Sequence, residues 1–348
     1  MPGDTARSAA RVIAKRMTGD YPLGRSYHLD QLRESLPSVV RQTGVLVEEE
    51  TRLVTPGVSD VLVVDRLGWV ERNYDSFRLM LAPIERRVSE KMSERSRGSI
   101  GASVASAAVA AEMGGVLGLL SRRVLGQYEL VVPGEDVGDS VAFVGSNLLE
   151  VERSHQLVPS EFRTWVALHE STHRAQFVGV PWMRSYFLDL VNELISSAQP
   201  SEGAVSRLVE QVRDARRTGN PVVGEMGILG VLADEKQKEA LSKVQALMSL
   251  LEGHGHAVMD RLATGRLVSQ PRLSALMKVR RKDTRSAWLM RLVGFEMKIR
   301  QYEVGEKFVL GVANRAGWTA IDQAWSSPAA LPSYQEIQEP EKWLRRVG

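Results

Sequence analysis

Cysteine is absent from the 348 residues. That excludes a disulfide framework, a thiolate nucleophile and any sulfur-ligated metal, so a bound metal must use His, Asp or Glu. Histidine is scarce too, with 6 in the chain, so the places where it gathers carry information. Nothing at the N-terminus, Met1-Pro-Gly-Asp-Thr-Ala-Arg, resembles the apolar core of a secretory leader, and the expected location is the cytoplasm. A strong charge of either sign is also missing: the net charge is +3, which does not by itself imply nucleic acid. The basic run Arg272, Lys278, Arg280, Arg281, Lys282 and Arg285 has no interleaved aromatics. It reads as a solvated face, and nucleic acid is not an expected partner.

Long apolar runs are missing with one near exception, 102–120. That run is rich in Ala, Gly and Ser and carries Glu112 near its middle. A charge at the bilayer centre costs about 2.5 kcal/mol or more. The run therefore reads as a buried helix whose small residues let neighbours approach closely, not as a membrane span. Glu112 then needs a buried partner, most simply a structural ion pair.

Enough apolar residue is present, 43%, to build a substantial core. Helical spacing predicts helices over 5–17, 29–47 with a second helix starting at Pro37, and 69–91. Residues 59–65 fit a strand or a helix start. Short strands are predicted over 128–133 and 141–145, with 147–151 a candidate third. Helices follow near 183–198 and 202–217, then a Gly/Pro-rich loop at 218–224 that could border a cleft. A capping-box pattern at Asp234-Glu-Lys-Gln237 opens a long helix to about Leu262, and 288–312 is again helical. The fold class is mainly α with a small β-sheet, with 1–124 as a helical region packed on a core of 125–348.

The informative stretch is Trp165-Val-Ala-Leu-His169-Glu170-Ser-Thr-His173-Arg-Ala-Gln-Phe177. Residues four apart share a helix face, so His169 and His173 can ligate one Zn²⁺. Glu170, one step round, can reach a water on that metal and serve as general base. His-Glu-x-x-His arises by chance in roughly one such chain in a hundred. Its surroundings strengthen it: Pro159-Ser160-Glu161 is a helix start, apolar residues fill the other faces, and Gly179 and Pro181 end the segment.

A catalytic Zn²⁺ usually takes three protein ligands and leaves one position open. Two of the four remaining histidines stand in Leu251-Glu252-Gly253-His254-Gly255-His256-Ala-Val-Met-Asp260. Glu252 is the expected third ligand and His256, one turn on, the alternative. Asp260 could accept a hydrogen bond from a ligand imidazole. Gly253 and Gly255 cost a helix about 1 kcal/mol each. The expected reason is close approach to the helix carrying His169 and His173.

These blocks resemble a known family. Leu125-Gly-Gln-Tyr128, Phe143-Val-Gly145 with Asn147-Leu-Leu149, Leu168-His-Glu-Ser-Thr-His173 with Gln176-Phe177, Ser249-Leu-Leu-Glu-Gly-His254 with Val258-Met-Asp260, and Lys298-Ile-Arg-Gln-Tyr302 with Gly305 are similar to the bacterial, mainly actinobacterial, zincin-like metallopeptidase type 2 family. Its members often carry a label linking them to biosynthesis of a deazaflavin coenzyme. The resemblance implies a mostly helical zincin-like fold, His169, His173 and Glu252 as zinc ligands, and Glu170 as base. Glu252 lies 79 positions after His173, further than in the better-known Glu-zincins.

The expected activity is zinc-dependent hydrolysis of a peptide or small amide, with Tyr302, Arg300 or His254 as candidate donors to the oxyanion. The alternative is a metal-binding regulatory or scaffold protein without proteolytic activity.

Overall fold

The structure is a computed structural model that describes residues 2–76, 110–111, 113–130, 139–196, 235–282 and 297–348. Several sequence expectations lie outside these residues: the helices over 77–91 and 202–217, the loop at 218–224, Glu112, Asp234, strand residues 131–133 and Arg285. The chain forms two compact units, 1–179 with 262–270, and 180–261 with 271–348.

The first unit is built from α1 (Pro2–Met17), α2 (Tyr27–Thr51), β1 (Asp60–Val64), β2 (Gly126–Glu129), β3 (Ser140–Val144), α3 (Gly145–Ser154) and α4 (Pro159–Val178). The sheet order is β1-β3-β2, with β3 parallel to β1 and antiparallel to β2. All five residues of β3 are buried, as its continuous Val-Ala-Phe-Val run requires of a central strand. The small sheet agrees with the sequence reading, but its third strand is β1, and residues 147–151 lie in α3. A short apolar run cannot be told from a helix by periodicity alone. The side chain of Asn147 donates to the carbonyls of Ser121 and Val124 and accepts from Arg66 Nε, partners that exist only in the folded chain.

Pro37 lies inside α2 and does not begin a new helix. An interior proline costs about 3 kcal/mol. The buried stripe Leu29, Leu32, Leu36, Val40 and Val47 runs past it at helical spacing and packs along α4, which offsets the lost hydrogen bond. Small residues do bring neighbours close in the second half of the 102–120 run. Gly114, in a helical segment over 113–120, faces the backbone of α1. A Cβ there would stand 2.2 Å from the Ala10 carbonyl oxygen.

The second unit contains α5 (Met183–Ser196), most of α6 (Glu235–Ala263) and of α7 (Gln270–Lys282), α8 (Met297–Ala316), a 3-10 segment (Trp318–Trp325), α9 (Tyr334–Gln338) and α10 (Pro340–Val347). Leu273 and Met277 are the buried face of α7, while Arg272 and Lys278 point to solvent, as a solvated basic face should. Phe308 packs edge-on against the buried Trp343 at 5.4 Å, and the Trp343 indole donates to the Ala330 carbonyl. Among the described residues, no helix is long and apolar enough to cross a membrane.

Candidate metal centre

Helix α4 starts as its sequence requires. Val158 is extended, Pro159 opens the helix, and Glu161 lies in the first turn, where its charge suits the exposed amides. The Ser269 hydroxyl and amide and the Val268 amide donate to Glu161 and hold its carboxyl below the usual range. Phe162, Trp165, Val166 and Leu168 are buried and seat the helix in the core. Arg174, one residue after His173, pairs with Asp139 and donates to the carbonyls of Pro56 and Gly57, which fixes the far end.

His169 and His173 converge as the four-residue spacing dictates. Their Nε2 atoms are 3.1 Å apart and their rings meet at 77°. Two imidazole nitrogens at that distance need a proton or a cation between them, because two lone pairs would repel. Tetrahedral Zn²⁺ with Zn–N of about 2.0–2.1 Å separates two nitrogens by about 3.3 Å, so the pair fits the ion. His173 Nδ1 lies 2.9 Å from Gln176 Oε1.

Glu170 points towards the sheet. Its Oε2 accepts the Tyr128 backbone N–H at 3.0 Å. Gly126, two residues earlier on β2, leaves the room: a Cβ there would stand 2.7 Å from Glu170 Cγ. The Tyr128 ring stacks on Phe177, with centroids 6.0 Å apart. β2 and α4 are thus joined by backbone, carboxylate and aromatic contacts around the same carboxylate.

Glu252, His254 and His256 are all buried on α6. His254 lies among aromatics, stacked on Trp318 at 6.2 Å and edge-on to Trp325 at 5.0 Å, and Arg261 covers Trp318 at 4.3 Å. Asp260 Oδ1 accepts the Ser274 hydroxyl at 2.6 Å. Arg300 and Tyr302 belong to α8, but their side chains fall outside the described set. Gly253 admits another backbone, as expected, but that backbone is α8 and not α4. A Cβ on Gly253 would lie 2.1 Å from the Gly305 carbonyl carbon. Gly305 is the reciprocal glycine, a Cβ there lying 1.8 Å from the Ser249 carbonyl oxygen. A backbone-to-backbone crossing needs a glycine on both helices, and only α8 supplies it.

Among the described residues, the ligand atoms that could hold a metal ion are those of His169 and His173, in the first unit, and Glu252, in the second. Two imidazoles and one carboxylate are a donor set suited to zinc. The sequence reading assigned no role to Gln176, Gly126 or the Tyr128 amide. Gln176 had a usable signal, three residues after a ligand histidine. A backbone amide on a distant strand has none.

A family model described as zincin-like metallopeptidase matches residues 4–344. A crystal structure from Chloroflexus aurantiacus, described as a proposed hydrolase with a novel fold, is 26% identical. It aligns over 99% of this chain and 97% of its own, with a TM-score of 0.69. No curated protein matches the chain.

Proposed function

The chain belongs to the zincin-like metallopeptidase family, and on that premise we propose that it is a zinc-dependent hydrolase of peptide or small amide bonds. The observation that carries this reading is the convergence of the His169 and His173 Nε2 atoms at 3.1 Å, with the carboxylate of the next residue held in a defined orientation.

His169, His173 and Glu252 are the proposed ligands. Zn²⁺ bound there supplies a Lewis acid that polarises a carbonyl and acidifies a water. The rest belongs to the chain. Two neutral imidazoles and one carboxylate leave the site cationic. Glu170 takes the proton of the attacking water and returns it to the departing nitrogen. The Tyr128 amide holds Oε2, so the carboxylate does not have to search for its orientation in each turnover. Burial of Glu170 keeps competing bulk water from it.

The test compares two substitutions. His173→Ala loses zinc and activity together. Glu170→Gln keeps the shape and the zinc and lowers turnover by on the order of a hundredfold or more. Zinc content is read by elemental analysis, and activity by a peptide-library cleavage screen of wild type against Glu170→Gln. Identical cleavage profiles from two zinc-loaded proteins would defeat the hydrolase reading and favour the scaffold alternative.

A further inference from the structure

We propose that Gln176 is the positioning residue that sets the His173 tautomer, so that Nε2 rather than Nδ1 carries the lone pair offered to the metal. The proposal rests on the metal-site reading above and adds to it a residue that is not itself a ligand.

A neutral imidazole has one N–H and one lone pair, and only the lone pair can bind a metal. Free histidine in water favours the Nε2–H form, which is the wrong one here because Nε2 is the atom aimed at His169. Gln176 Oε1 lies 2.9 Å from His173 Nδ1. A carboxamide oxygen only accepts, so Nδ1 must donate and Nε2 is left unprotonated. The two residues are three apart on α4, and i, i+3 side chains are neighbours on any helix. The device is therefore built into the same segment as the ligand it serves. Gln176 is fully buried at 0% exposure, where a carboxamide needs a partner, and the imidazole N–H is one.

The choice of an amide over a carboxylate has a consequence. Both would accept from Nδ1–H, but a second carboxylate beside the site would cancel one more unit of the metal's charge. It would also have to be buried at that position, at a high desolvation cost. Glutamine orients the ring without adding charge, leaving Glu252 as the single anionic ligand of the proposed set. This keeps the bound ion a stronger Lewis acid than a carboxylate–histidine arrangement would.

The first experiment needs no metal. Long-range ¹H–¹⁵N correlation spectra of the metal-free full chain at about pH 8, where a histidine is neutral, report which ring nitrogen of His173 is protonated. His173→Ala assigns the signal. The wild type is expected in the Nδ1–H form, and Gln176→Met should shift to the Nε2–H form or a mixture. A wild-type His173 in the Nε2–H form overturns the proposal, whatever the variants do. The second experiment measures zinc affinity by chelator competition. Gln176→Met should lose about 10–100-fold. Gln176→Glu, which keeps an acceptor for Nδ1–H, should bind more tightly than Gln176→Met. A simple packing role for Gln176 would not produce that rescue. Equal zinc affinity in wild type and Gln176→Met overturns the positioning role and leaves the metal site standing. No zinc binding by wild type defeats the metal-site reading, and with it this proposal, a result distinct from the first.

Discussion

The backbone N–H of Tyr128 donates to Glu170 Oε2 at 3.0 Å, tying the edge strand of the sheet to the acidic residue of the His-Glu-x-x-His helix. The strand is a structural partner of the proposed base, and Gly126 is the opening that lets the carboxylate reach it. An edge strand ordinarily leaves its outward amides unpaired. Here one of them orients a side chain.

Gly126→Ala should therefore separate activity from stability. The new Cβ would lie 2.7 Å from Glu170 Cγ and 2.9 Å from its Oε1. The obstructed group is a side chain that can swing aside, so the stability cost should be about 1 kcal/mol, at the low end for overpacking. Zinc content should be unchanged. Turnover should fall at least about tenfold, because the base has left its place. Elemental analysis, thermal unfolding and the cleavage assay on one preparation check all three.

The α6–α8 crossing should tolerate no side chain at all. Gly253→Ala and Gly305→Ala each set a Cβ against backbone atoms, at 2.1 Å and 1.8 Å, and backbone cannot rotate away. Each substitution should cost about 3 kcal/mol, the upper range for overpacking, and Gly253→Ala should also weaken zinc binding by displacing its neighbour Glu252. Urea unfolding gives the first quantity and chelator competition the second. A loss below about 1 kcal/mol for either would show that the helices can part cheaply.

Zinc should stabilise the folded chain. An ion that binds only the native state at a hundred times its Kd adds about 2.7 kcal/mol. The Tm should rise with added Zn²⁺, fall after treatment with chelator, and show no zinc dependence in the double variant His169→Ala/His173→Ala. Differential scanning calorimetry of wild type and the double variant, each with zinc and with chelator, is decisive.

Glu336 should give the C-terminal region an acid-sensitive component of stability. Burial pushes its carboxyl up, but the Arg346 guanidinium and the Ser333 hydroxyl and amide outweigh that, and the net direction is down. Arg346 Nε donates to Glu336 Oε1 at 2.6 Å, and Ser333 N–H to Oε2 at 2.8 Å in a capping box. The folded pKa is depressed, so the contribution is complete above the unfolded value of 4.5 and disappears as the pH falls through the folded one. Glu336→Gln should cost about 1 kcal/mol at pH 7, and the gap from wild type should close on acidification. A constant gap across the titration would assign the effect to packing.

The departures from the sequence reading share a cause. Pro37 signals a break, yet α2 continues because one buried stripe on both sides of it packs on α4. Residues 147–151 are equally apolar as strand or helix, and Asn147 decides through carbonyls at 121 and 124. Gly253 does announce a close approach, but its partner is known only once Gly305 is seen opposite. In each case the deciding group is distant along the chain.

What the sequence determined by itself was local. The i, i+4 spacing of His169 and His173, the helix start at Pro159 and the end at Gly179 depend on the geometry of one helix, and that geometry is the same in any fold. The absence of cysteine set the ligand types, and the mainly helical class followed from periodicity. Tertiary structure decided the rest: in the first unit, β1 as the parallel partner of β3 and the Tyr128 amide at Glu170, and in the second, the glycine pair that lets α6 and α8 touch. Those features are made of backbone groups, which every residue carries alike. Glycine marks that a backbone can be approached but not by what, and only folding brings the partners within hydrogen-bonding or contact distance.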